Sequence, residues 1–242
     1  MTSNRFFIKQ ESQESSLVLL KGEEHHHLSR VVRIKPGATV TLFDIQGADY
    51  LARVEEVGKN STRLFILEKR KKKNKRIQVT LAQALIKAKN LELVLQKATE
   101  LGMSDFIPII SSRSIIKLGD KTEKKMQRWR RIVLESAKQC GRSVVPRIHI
   151  PVELNMFFQR QAEDKKIFFC GRGGDYLRNI LVNLKPPASV VLLIGPEGGW
   201  TDREEKDMVD HGFEAVSLGP STLRSETAAI ASLAMVSLFW NS

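Results

Sequence analysis

Apolar and polar positions keep two different rhythms along this chain, and the change falls near residue 76. Before it, short apolar runs at 6–8, 17–20, 39–43, 50–57 and 63–67 are separated by Gly, Asn and Ser turns, which predicts five strands. Between the second and third, 23–34 reads as a helix stopped by Pro36-Gly37. A small, partly closed β-barrel with one helix is the economical arrangement. After the change, strands at 79–85, 106–110, 148–150, 167–170, 190–194 and just before Gly219 alternate with helical periodicity. The helices are expected at 91–101, 122–140, 154–161, 176–184 and 226–239, with one more opening after Thr201. Asn90 is the candidate N-cap and Gly102 the C-cap of the first of these. In 122–140, Met126, Trp129, Val133 and Ala137 share the inward face, and Gly141 closes the helix. Six strands alternating with helices imply an α/β fold with a largely parallel sheet. The boundary gives two domains, 1–72 and 73–242.

The stretch 190–231 repeats one grammar twice: an apolar strand, a Gly-Pro break, a polar loop and a helix start. Gly195-Pro196 ends the first strand, Gly198-Gly199 let the backbone turn or approach a ligand, and Thr201 with Glu204 forms a capping-box pattern. The second loop runs from Gly219 to a helix opening with Glu226. One such βα turn can be only a turn. Two of them, with Arg224 and Glu226 in the second, point to a ligand site at the carboxyl ends of adjacent strands. No Lys-Ser or Lys-Thr follows the glycines, so this is no P-loop, and no Gly-x-Gly-x-x-Gly occurs. Gly171-Arg-Gly173-Gly174 has the wrong spacing for a Rossmann-type methyltransferase loop and reads as a turn.

Charge adds a partner. Thirty-nine Lys and Arg against 27 Asp and Glu give +12. Residues 1–76 hold 16 basic and 9 acidic residues (+7), leaving 23 and 18 (+5) for the remainder. Such an excess favours a polyanion, nucleic acid before an acidic membrane, because no basic amphipathic helix with an aromatic face is present. The 69–76 run, seven basic residues in eight, reads as a linker that can also touch RNA backbone. His25, His26 and His27 are poorly placed for a metal, since adjacent helix positions face different ways. Cys140 and Cys170 lack metal spacing, so no metal is expected. The amino terminus has no signal-peptide pattern and no apolar run spans a bilayer, so a cytoplasmic protein without membrane contact is expected.

Several motifs share one resemblance: Ile-Gly-Pro-Glu-Gly-Gly-Trp-Thr at 194–201, Leu-Gly-Pro-x-x-Leu-Arg-x-Glu-Thr-Ala at 218–228, His-His-Leu-x-x-Val-Val-Arg at 26–33, Lys-Ala-Thr-Glu-Leu-Gly at 97–102, Arg113-Ser114, and Gln-x-Gly-Arg-x-x-x-Pro at 139–146. With these the chain resembles the bacterial 16S rRNA uridine N3-methyltransferases of the SPOUT class. Ser221 and Ser225 stand where that family often has Arg and Thr. The resemblance implies a carboxyl-terminal domain tied in a trefoil knot, against ordinary topology, and an amino-terminal PUA-like RNA-binding barrel. It also implies a homodimer acting on the assembled small ribosomal subunit. S-adenosyl-L-methionine would be held by Gly171, by Leu193, Ile194, Gly195, Pro196, Glu197, Gly198 and Gly199, and by Leu218, Gly219, Ser221, Thr222, Leu223 and Arg224.

The chemistry then assigns roles. The cofactor carries the methyl group, and positioning supplies much of the rate. N3 of uridine must lose its proton, which spreads negative charge onto O2 and O4. A fixed cation stabilises that anion, and Arg224, whose planar fork suits two oxygens or a phosphate, is the choice. It could instead pair with Glu226. Glu226 sits at a helix start, where the dipole favours negative charge, and is an orienting residue first. Glu197 is a second candidate base or a ligand of loop amides. The base stays open. Arg30, Arg33, Arg113 and Arg142 are the expected RNA contacts, and the target must be unpaired or flipped. The alternatives are a non-catalytic RNA-binding assembly factor and a related enzyme methylating a ribose 2′-OH or tRNA.

Overall fold

The rhythm change has a structural counterpart. The computed structural model describes residues 4–8, 16–44, 47–71, 77–114, 122–159, 162–171 and 173–240. It divides into two units, 1–74 with 137–145, and 75–136 with 146–242.

The first unit contains β1 (Arg5–Ile8), β2 (Leu17–Lys21), α1 (Gly22–His26), β3 (Thr39–Asp44), β4 (Ala48–Val57) and β5 (Ser61–Lys71). Its sheet has the order β1-β3-β4-β5-β2, with β1 parallel to β3 and the other pairs antiparallel. β1 and β2 form the two edges of this sheet, and among the described residues no pairing between them closes a barrel. Alternation sends Val18, Leu20, Val40, Leu42, Val54 and Leu64 inward onto Phe6 and Leu28. The expected helix at 23–34 is regular only at first: α1 continues as a π-helical turn, His27–Val32, ending on Arg33 in the left-handed region (φ 57°). The Ser29 hydroxyl donates to the His25 carbonyl at 2.7 Å, competing with the regular ladder. The His25 ring nitrogens lie 2.8 Å from Thr62 Oγ1 and 3.2 Å from the Lys59 carbonyl. Lys69–Lys71 are not linker. They lie at the end of β5 opposite Ala48–Tyr50, and 72–76 fall outside the described residues.

The second unit contains β6 (Gln78–Ala84), α2 (Ala88–Glu100), β7 (Asp105–Ile110), α3 (Thr122–Cys140), β8 (Arg147–Ile148), β9 (Val152–Glu153), α4 (Leu154–Phe158), β10 (Lys165–Phe169), β11 (Asp175–Tyr176), α5 (Leu177–Asn183), β12 (Ser189–Ile194), α6 (Asp202–Asp210), β13 (Glu214–Ser217) and α7 (Ser225–Trp240). The last turn of α3 counts with the first unit. Every strand pair is parallel, in the order β11-β13-β10-β12-β6-β7-β8, with β9 also on β7. Val190–Ile194 are all buried, as a strand covered on both faces must be. The sequence missed the two-residue strands β9 and β11. It also placed the two loop-bearing strands side by side, whereas β10 lies between β12 and β13. Asn90 is not the N-cap of α2: the helix begins at Ala88 after Lys87, and Asn90 stands in its first turn. Gly102 does follow the helix end, at φ 105°. Met126, Trp129, Val133 and Ala137 of α3 are buried as expected.

Candidate active site at the carboxyl ends of the strands

Because β10, β12 and β13 are parallel neighbours, the loops that follow them leave the sheet on the same side. A cavity of about 460 Å³ opens there, walled by Phe169, Cys170 and Gly171, by residues from Ile194 to Trp200, and by residues from Ser217 to Ala228. Lys87 and Asn90, from the start of α2, complete it. The insertion of β10 thus adds its own loop, the one the resemblance implied through Gly171, to the two that the glycine pattern marked.

Local packing fixes these loops. The Trp200 indole donates to the Phe169 carbonyl at 3.1 Å, and its ring lies so near Gly195 that a Cβ there would stand 3.1 Å away. Gly174 passes β13 with φ +77°, and a Cβ would sit 2.5 Å from the Ala215 carbonyl oxygen. A Cβ would crowd the indole at Gly195, while at Gly174 the left-handed backbone and the clash together require glycine. Buried Gln83, on β6, donates to Ser225 Oγ at 2.9 Å and the Gly195 carbonyl at 3.4 Å, while the Ser225 hydroxyl also donates to that carbonyl. The end of β12 and the start of α7 are therefore tied to one side chain.

The capping box on α6 is present in both directions, and Glu204 reaches further, accepting from the Ser112 amide at 2.9 Å. Burial raises the Glu204 pKa, but the Ser112 and Thr201 amides and the Thr201 hydroxyl outweigh it and hold the carboxyl below its ordinary value. Glu197 accepts from the Lys87 amide at 3.0 Å, so it bonds the helix start of α2 rather than its own loop. Arg224 is exposed in the cavity wall, and among the described residues it has no ion pair with Glu226 or any other carboxylate. Glu226 lines the cavity with its Oε2 buried and without a hydrogen-bond partner.

Of the residues expected to hold the cofactor, Gly171, Ile194, Gly195, Pro196, Glu197, Gly199, Leu218, Ser221, Thr222, Leu223 and Arg224 line this cavity. Leu193 does not, being fully buried in the apolar core, and Gly198 and Gly219 lie outside the lining. Gly198 instead offers its carbonyl to Arg113, whose Nη1 also reaches the Trp200 carbonyl, both at 2.9 Å. Arg113, one of the expected RNA contacts, is exposed and also braces the 198–200 loop. Arg30 and Arg33 are exposed and Arg142 half-buried, all three in the first unit. Sequence reasoning missed Lys87, Asn90, Phe169, Cys170 and Trp200 as lining. Phe169 and Cys170 could have been found by the rule used for Ile194, since they end an apolar strand. Nothing local marks Asn90.

A second cavity of about 460 Å³ lies at the opposite, amino ends of the strands, around Gln78, Thr80, Asp105, Arg147, His149 and Ser189. There Asp105 meets Arg147 at 2.8 Å and His149 at 2.7 Å. Burial raises the Asp105 pKa, but those two partners outweigh it and hold the carboxyl below 3.8. Among the described residues no helix is long and apolar enough to cross a membrane.

The family described as an RNA methyltransferase domain matches residues 72–237, and the one described as an RNA methyltransferase PUA domain matches 20–67. Relatives named ribosomal RNA small subunit methyltransferase E include those of Bacillus subtilis, 31% identical over 96% of this chain and 95% of that protein, and Mesomycoplasma hyopneumoniae, 35% identical over 93% and 95%. The Neisseria gonorrhoeae protein of that name, solved bound to S-adenosyl methionine, superimposes with a TM-score of 0.89 at 29% identity over 98% of both chains. A Legionella pneumophila methyltransferase in complex with SAM gives 0.88 at 33%, again over 98% of both. Matched along nearly its whole length, the chain belongs to the RNA methyltransferase family that contains the ribosomal RNA small subunit methyltransferase E proteins.

Proposed function

We propose that this protein uses S-adenosyl-L-methionine to methylate N3 of a uridine in 16S rRNA, within the assembled small subunit in the cytoplasm. The observation that carries the reading is the cavity itself, lined both by Arg224, which has no ion pair among the described residues, and by Glu226, whose buried Oε2 has no hydrogen-bond partner there. The lining fits the cofactor. Gly171 and Gly199 are exposed and let backbone lie close to adenine and ribose, Phe169, Leu218 and Leu223 give apolar cover, and Glu197 and Glu226 balance a sulfonium cation. Bound there, the cofactor supplies an electrophilic methyl group. The chain's residues do the rest. Arg224 steadies the charge that appears when N3 loses its proton, and the Glu226 carboxylate orients the reacting groups.

On this reading residues 73–242 carry the transferase, with the carboxyl-terminal strands tied in a trefoil knot, and 1–72 carry the RNA-binding PUA-like domain. Arg30, Arg33 and Arg142 meet RNA phosphates. A homodimer is part of the reading, supported by apolar residues left exposed on α5 (Val182), just after it (Leu184) and on α7 (Leu238, Phe239). The deciding experiment incubates enzyme, cofactor and small subunits from cells lacking this activity, then digests the rRNA to nucleosides. N3-methyluridine is expected. A 2′-O-methylated nucleoside, recognised by its resistance to alkaline hydrolysis, or no methylated product would overturn the reading.

A further inference from the structure

The two uracil oxygens that take up charge flank N3 on opposite sides. A single guanidinium bridging both would lie across the atom that must receive the methyl group. Resting on the proposed uridine N3 chemistry, the site therefore needs two separate donors, one beside each carbonyl. Arg224 supplies one. Apart from the groups on the three loops, the cavity is lined by Lys87 and Asn90 of the α2 start and by Ser225 and Glu226 of α7, and the Ser225 hydroxyl is already donated to the Gly195 carbonyl. Glu226 is an acceptor, and Lys87 is exposed on a long, rotatable stem.

Asn90 has the right properties. It is half-buried, short, and fixed on the first turn of a thirteen-residue helix. It does not cap that helix; its backbone amide donates to the Lys87 carbonyl at 3.0 Å, while its side-chain amide has no hydrogen-bond partner among the described residues. Asparagine is not favoured inside a helix for its own sake. The helix start is itself held, because Glu197 bonds the Lys87 amide and α2 packs on α7.

We infer that Asn90 is a catalytic residue whose side-chain amide donates to one uracil carbonyl oxygen while Arg224 holds the other. In the transfer, the N3 proton passes to solvent and the pair left on N3 forms the bond to the methyl carbon. The carbon–sulfur bond breaks and its pair stays on sulfur. The Asn90 donor bonds more strongly to the charged oxygen than to the neutral carbonyl, so its effect falls on the rate rather than on binding.

The test uses the full-length protein and small subunits carrying either uridine or 5-fluorouridine, whose N3 is more acidic. Asn90→Ala should lower the single-turnover rate about 100-fold, the usual loss for one such donor, with cofactor affinity by calorimetry and subunit affinity unchanged. Asn90→Asp, equal in size but negative, should be slower still, an order that simple loss of packing would reverse. On 5-fluorouridine the Ala defect should shrink, since less anion stabilisation is required. A wild-type rate in Asn90→Ala, or an equal defect on both substrates, overturns the assignment provided that the wild-type product is N3-methyluridine. Any other wild-type product overturns the uridine N3 reading first, and the Asn90 role with it.

Discussion

The two ends of the parallel sheet carry cavities of equal size, about 460 Å³ each, and differ in what their polar groups are free to do. At the amino ends, Asp105, Arg147 and His149 are bound to one another. At the carboxyl ends, the Arg224 and Asn90 side chains have no partner among the described residues and Glu226 Oε2 is buried without one. Volume therefore does not separate a site from a structural void. Polar groups whose bonds are left for something else do.

The strongest way to break this contrast is Arg224→Ala. Single-turnover methylation should fall by about 10²–10³-fold, with cofactor affinity kept within a few-fold by calorimetry. Wild-type turnover would remove the distinction between the two cavities. Next, Gly174→Ala forces a Cβ against the Ala215 carbonyl from a left-handed backbone, and should cost about 2–4 kcal/mol in denaturant unfolding.

At the other end, Asp105→Asn should leave methylation unchanged and reduce stability by about 1–2 kcal/mol, limited by the exposure of Arg147. Its sign with pH is fixed. A carboxyl held below 3.8 when folded stabilises fully above that value and loses its contribution as pH falls further. The stability difference between wild type and variant, full at neutral pH, should thus shrink in unfolding curves recorded near pH 3. The smallest effect is expected for Glu204→Gln, about 0.5–1.5 kcal/mol, because glutamine can still close a capping box. Its carboxyl is also depressed, so the difference should fade below pH 4.5. A variant difference that grew on acidification would contradict either assignment.

Much of this arrangement was legible because it is local. The apolar run 190–194, the capping box at Thr201 and Glu204, and the inward face of α3 each follow from spacing within a few residues. Strand order is not local. β10 and β13 are separated by two strands and two helices, and nothing in their residues says that they pair. For the same reason Asn90 read as a cap, since its place in the cavity depends on α2 meeting loops more than a hundred residues later. The π-helical turn at His27–Val32 was hidden by the ordinary helical pattern around it.

The bond from Glu197 to the Lys87 amide joins the loop proposed to grip one substrate to the helix end proposed to meet the other. If ligation of either side stiffens that joint, each partner must tighten its counterpart by the same factor, whichever arrives first. A loop glutamate would then make the two binding events report on each other across the cavity.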